Sequence, residues 1–262
     1  MDKIKCFLLD MDGTVHLSGK AFSGAADAVA RMRKQGRVFF VTNSTLYSRK
    51  QQADKLVKMG IPCTADEVYT SAIATRDLLN REHKGKTVYV LGTEILKTEL
   101  RDGGIKVVGN NPDLVVVSFD NKLNFENLTK TCDFIRAGIP FLATHPDFNY
   151  PILGGYWPDC GATLALIKSC TGKDPFVVCG KPFEPLGQGV RNLVGCEARE
   201  VAMFGDRLLT DIPLAKNNGF VAVLVLTGES TLKDHEKSKI KADIILPSVA
   251  EWDSISQSSR KS

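Results

Sequence analysis

Residues 7–16 read FLLDMDGTVH, and the fold class turns on them. Phe7, Leu8 and Leu9 form a short continuous apolar run, the pattern of a strand buried on both faces. The run ends in Asp10, and Asp12 and Gly13 follow within three residues. A buried charge without a partner is expensive. Aspartates in this position therefore either cap a turn or stand where something positive meets them. Taken alone, the stretch leaves both readings open.

The same pattern recurs along the chain. IKCFLL, RVFFVTN, EVYTS, DPFVVCGK, REVAMFGD and FVAVLVLTG read as short strands. GAADAVARMRKQG, SRKQQADKLVKMG, AIATRDLLN and the stretches around 184–194 and 209–217 carry helical spacing between them. Ser23 stands where it could cap the first of these helices, and Gly36 where it could end it. Such alternation predicts an α/β fold, a Rossmann-like doubly wound parallel sheet with right-handed crossovers. Residues 84–178 repeat the alternation (TVYVLG, DLVVVSF, IPFLATH) and are long enough for a smaller α/β domain of their own. The expected organisation is a core in two parts, 1–83 and 179–262, with a cap domain, 84–178, inserted between them.

Composition narrows the classes. Of 262 residues, 43% are apolar and 24% charged, with a net charge of +4, which is ordinary for a soluble globular protein. The run KDHEKSKIK (233–241) mixes both signs and reads as a solvated face, so no nucleic-acid partner is expected. No apolar run approaches the roughly 20 residues of a membrane helix. Asp2 and Lys3 open the chain without the pattern of a secretory leader, so a cytoplasmic protein with no membrane partner is expected. Seven cysteines without a Cys-x-x-Cys pair read as buried, reduced thiols rather than a metal site. His16, His83 and His235 read as surface or packing residues, since none has a metal-binding neighbour at ligand spacing.

The ends of the candidate core strands carry the chemistry. Asp10 and Asp12 follow the first. Thr42 and Asn43 follow RVFFV, Lys181 follows FVVCG, and Asp206 follows VAMFG, with Asp211 five residues on. Ligands of open α/β sheets bind outside the carboxyl ends of the strands, so these groups are expected at one rim. Two carboxylates about 4 Å apart repel by about 4 kcal/mol at an effective dielectric of about 20. Lys181 and a hard divalent cation with oxygen ligands, Mg²⁺, would balance them. Thr42, Asn43 and strand-end amides would then hold phosphoryl oxygens. Two other motifs fail on detail. An EF-hand needs a glutamate at the twelfth position from Asp10, which is Ala21, and a P-loop needs a glycine where Pro175 stands.

The series DMDGT, TNS, GKP and GDRLLTD, in this order, resembles the haloacid dehalogenase superfamily of aspartyl-nucleophile phosphatases. Only 29 residues separate Asp12 from Thr42, whereas 138 separate Thr42 from Lys181. A cap in that second position is similar to the type II, NagD-like or p-nitrophenylphosphatase-like branch, as are TSAIAT (70–75), ATHPD (143–147) and LPSVAEW (246–252). Ser44 and His145 depart from that branch, which usually has Asn at both positions. The resemblance implies roles. Asp10 would be the nucleophile and Asp12 the general acid and base. The Asp10 carboxylate, the Asp12 backbone carbonyl and Asp206 would hold Mg²⁺, with Asp211 orienting their surroundings. Thr42, Asn43 and Lys181 would bind the phosphoryl group. The substrate would be a small phosphorylated metabolite, and a homodimer through the cap is suggested by family likeness alone. Two rivals stand beside this reading: a phospho-accepting receiver-like switch, of about half this length, and a phosphate-binding protein without catalysis, which would not need Asp12. In the cap, THPDFNYPILGGYWPDCGA (144–162) gathers Phe148, Tyr150, Tyr156 and Trp157. These either read the substrate, with Asp147 and Tyr150 the candidate contacts, or form cap core.

Overall fold

The computed structural model describes residues 3–253. Among these, 3–42, 49–69 and 187–253 form one compact unit, and 43–48 and 70–186 form another.

The first unit is built on a six-stranded sheet. In spatial order its strands are Ile244–Leu246, Val221–Val225, Val201–Gly205, Cys6–Leu9, Arg37–Thr42 and Val68–Thr70. Numbered by their order along the chain this is 6-5-4-1-2-3, the doubly wound arrangement. Cys6–Leu9 pairs in parallel with both Val201–Phe204 and Arg37–Phe40, and strand order reverses at this first strand. Phe7, Leu8 and Leu9 are fully buried, as the apolar run requires. The helix Ala25–Gln35 shows why its sequence folds as it does. Ala25, Ala28, Val29 and Met32 form an i, i+3, i+4, i+7 stripe, and all four are buried. The expected cap differs: Gly24, not Ser23, is the N-cap, at φ 75 and with no side-chain cap bond. A glycine suits that left-handed turn, because a Cβ there would lie 2.9 Å from the Ala250 Cβ. Trp252 closes the core edge-on against Phe7, with ring centroids 5.0 Å apart.

The second unit holds a parallel four-stranded sheet in the order Lys106–Val107, Thr87–Leu91, Leu114–Val117 and Phe141–Ala143. Helices Ser71–Glu82, Glu94–Asp102, Phe125–Arg136 and Cys160–Thr171 belong to it. The hairpin Asn149–Ile152 and Gly155–Pro158 is antiparallel. DPFVVCGK is not a strand of the six-stranded sheet, contrary to expectation. It runs extended along Phe141–Ala143, held by a single bridge between Ala143 and Val178 and by Ala143 N–H donating to the Val177 carbonyl at 3.0 Å. An apolar run of this length looks the same in either sheet, so the sequence does not choose between them.

Candidate active site

Asp10 and Asp206 follow the two neighbouring strands at which the sheet order reverses, the crevice where doubly wound folds bind ligands. The strand pairing runs past the sheet edge, since Asp10 N–H donates to the Phe204 carbonyl at 2.9 Å. Asp10, Asp206 and Asp211 are all buried, and a carboxylate oxygen of each lies within 4.8 Å of the other two. At an effective dielectric of about 20, each pair repels by about 3.5 kcal/mol or more when ionised. Some relief comes from donors: Glu229 N–H at 2.7 Å and the Thr14 hydroxyl at 3.3 Å to Asp206, and Arg207 N–H at 3.1 Å to Asp211. A buried oxygen cluster of this kind fits a hard divalent cation. Thr42 is buried at the end of its strand in the same unit. Burial pushes the Cys6 and Cys179 thiols up to about 12.

Asp12 lies in the turn after Asp10. Its Oδ1 is buried with no hydrogen-bond partner among the described residues. The His16 Nδ1 stands 3.3 Å away and the Lys55 Nζ 4.0 Å away. His16 is fully buried, and burial pushes its imidazole from 6.5 down to about 4, against the opposing pull of the Asp12 charge. It is therefore neutral in the folded protein at ordinary pH. The unfolded chain takes up a proton below about pH 6.5 that the folded chain refuses until about pH 4. Stability from this residue is complete above the unfolded value and is lost as pH falls through that window, on the order of 3 kcal/mol. Chemical denaturation of wild type and His16→Leu at about pH 7 and about pH 4.5 checks this. The variant is expected to lose about 2 kcal/mol less between the two, and equal losses would contradict the assignment.

Asn43 and Lys181 lie in the second unit and are joined to each other. Lys181 N–H donates to Asn43 Oδ1 at 2.7 Å, and Asn43 Nδ2 donates to the Lys181 carbonyl at 3.2 Å. The same Nδ2 donates to Asp147 Oδ2 at 3.0 Å. The Asn43 carbonyl accepts from the Ser71 hydroxyl at 2.7 Å. Of the aromatics of 144–162, Phe148, Tyr156 and Trp157 are exposed on or beside the hairpin, whereas Tyr150 is half-buried. Tyr150 stacks on Trp157, and both lie against Phe119. A two-stranded hairpin has no second sheet to bury its faces, which leaves Phe148 and Tyr156 in solvent.

The model for haloacid dehalogenase-like hydrolases matches residues 7–106, and a second HAD-hydrolase-like model matches 178–252. The 5'-nucleotidase YutF of Bacillus subtilis is 31% identical over 253 residues, spanning 96% of this chain and 98% of that one. The chain belongs to the haloacid dehalogenase-like hydrolases. An acid sugar phosphatase of Staphylococcus epidermidis is 34% identical over 243 residues, 92% of this chain and 93% of its own. Among solved structures, the 4-nitrophenylphosphatase of Thermotoga maritima has a TM-score of 0.91 at 36% identity, covering 95% of this chain and 96% of that chain. This hydrolase is thus an enzyme of phosphatase type, in the branch that its motifs resemble. Within it, sequence reasoning misses Thr14, Lys55 and Glu229 and reads His16 as a surface or packing residue, whereas it is fully buried beside Asp12. The Asp12–His16 spacing of four is the only local signal for any of them.

Proposed function

We propose that this chain is a Mg²⁺-dependent phosphatase of small phosphorylated metabolites, such as sugar phosphates, nucleotides and nitrophenyl phosphate, acting through a phospho-aspartate at Asp10. The observation that carries the reading is the trio of buried carboxylates, Asp10, Asp206 and Asp211, gathered where the strand order reverses. Asp10, Asp206 and the Asp12 carbonyl would hold Mg²⁺, which when bound offsets their charge and that of the phosphoryl group.

Asp10 attacks phosphorus in line and the ester bond breaks, splitting one hard displacement into two. Asp12 gives its proton to the departing alkoxide. It then takes a proton from the water that attacks the phospho-aspartate, which returns Asp10 and releases phosphate. Thr42, Asn43 and Lys181 bind the remaining phosphoryl oxygens. Residues 84–178 act as the cap that selects among substrates. The seven free cysteines support a reducing, cytoplasmic setting. Among the described residues, no helix is long and apolar enough to cross a membrane.

Release of nitrophenolate from p-nitrophenyl phosphate, with Mg²⁺ and after chelation, tests the reading. Turnover is expected only with the metal, and activity undiminished by chelator would overturn it. Gly13 supplies a sharper check. It sits at φ +94, and a Cβ there would lie 2.4 Å from Asp206 Oδ2. Gly13→Ala must displace that carboxylate, so the Mg²⁺ concentration for half-maximal activity is expected to rise about tenfold or more. An unchanged Mg²⁺ requirement would remove Asp206 from the metal site.

A further inference from the structure

The second unit contains a buried polar chain that the proposed chemistry does not use. His145 is fully buried and Asp159 nearly so. His145 Nε2 lies 2.8 Å from Asp159 Oδ1, and its Nδ1 lies 2.8 Å from the Thr144 hydroxyl oxygen. The Thr144 hydroxyl also donates to Ser118 Oγ at 2.8 Å. The Asp159 carboxylate can only accept, and it also takes the Cys160 N–H at 2.6 Å. The ring is thus held from both sides, by the Asp159 carboxylate and by the Thr144 hydroxyl.

A second carboxylate stands in the same buried cluster. An oxygen of Asp147 lies within 4.8 Å of the ligand atoms of both His145 and Asp159. Asp147 is the residue that accepts from Asn43 Nδ2, and Asn43 in turn clamps both the N–H and the carbonyl of Lys181. The main chain is fitted as closely. A Cβ on Gly161 would lie 2.3 Å from the Pro146 carbonyl oxygen, and one on Gly180 would lie 2.5 Å from Asn43 Oδ1 and 2.8 Å from the His145 Cβ. Gly161 N–H also donates to the Asp147 carbonyl at 2.8 Å.

We propose that His145, oriented by Asp159, is a positioning residue: it holds the Asp147 carboxylate, which holds Asn43 and, through it, the backbone at Lys181. The proposal rests on the reading that Asn43 and Lys181 bind the phosphoryl group. The relay would set that pair in place before substrate arrives, so that ordering it costs nothing at the moment of binding. Its loss should weaken phosphoryl binding in ground and transition states alike, which raises KM and leaves kcat nearly unchanged.

A double-mutant cycle on the full-length protein tests this. His145→Gln keeps the approximate size but removes the ring that bridges Asp159 and Thr144. It is expected to raise both the KM for p-nitrophenyl phosphate and the inhibition constant of inorganic phosphate about tenfold. Asp159→Asn should do the same and serves as the test if the first variant does not fold. In an Asn43→Ala background, His145→Gln should add nothing further to KM. A second, additive rise there would overturn the relay, as would a fall in kcat and thermal midpoint with KM unchanged. A transition metal bound at one per chain in wild type and lost in Asp159→Asn would also overturn it, by making the cluster a metal site. Failure of the underlying reading is distinguishable: Asn43→Ala and Lys181→Met would themselves leave KM unchanged.

Discussion

Replacing Asp10 by Asn is expected to lower turnover of p-nitrophenyl phosphate by about 10⁴-fold or more, with the fold intact. An amide has no negative oxygen with which to attack phosphorus, and the neighbouring carboxylates are committed elsewhere. Asp206 is fixed by Glu229 N–H and Thr14, and Asp211 by Arg207 N–H. The change also removes one charge from three that repel one another, so the metal-free variant should melt no lower than wild type. Nitrophenolate release and a thermal melt in chelator check both halves. Residual activity within tenfold of wild type would show that another residue is the nucleophile.

The second large effect belongs to Asp12. Asp12→Asn keeps the size of the side chain but can neither give nor take the proton. With an alkyl phosphate, whose leaving oxygen needs a proton, kcat is expected to fall by about 10² to 10⁴-fold. With p-nitrophenyl phosphate the leaving group departs without help, so the first step survives while hydrolysis of the phospho-aspartate slows. Rapid-mixing kinetics should then show a burst of nitrophenolate followed by a slow steady state. Equal losses on both substrates, without a burst, would take the acid and base role away from Asp12. The same experiment separates the enzyme from a receiver-like switch, in which wild type itself would stop after one phosphorylation.

Much of this is legible in the sequence, and the limits have physical causes. Phe7 to Leu9 can be read as buried because a strand covered on both faces has no polar alternation. The order of Asp10, Thr42 and Asp206 along the chain matches strand ends, and strand ends in this fold share a rim. The segment before Lys181 is misplaced by sequence alone because hydrophobicity gives burial but not the identity of the partner strand. Asn43 and Asp147 are 104 residues apart, and Thr14 and Asp206 are 192 apart, so no local pattern announces either contact. His16 reads as a surface or packing residue, but its contact with Asp12 depends on a turn whose geometry Gly13 sets at φ +94. His145 is visible in the sequence only as a departure from the family pattern. Its partner Asp159 becomes evident once the hairpin between them is seen to return the chain.

The proposed mechanism depends on a covalent bond between Asp10 and phosphorus. Asp12→Asn protein mixed with p-nitrophenyl phosphate and Mg²⁺, quenched in acid and digested, exposes that bond to mass spectrometry of the peptide containing residues 7–16. One phosphoryl group is expected on that peptide, located at Asp10 and absent from Asp10→Asn protein. A phosphoryl group on any other residue, or turnover with no phosphorylated peptide at all, would refute the mechanism.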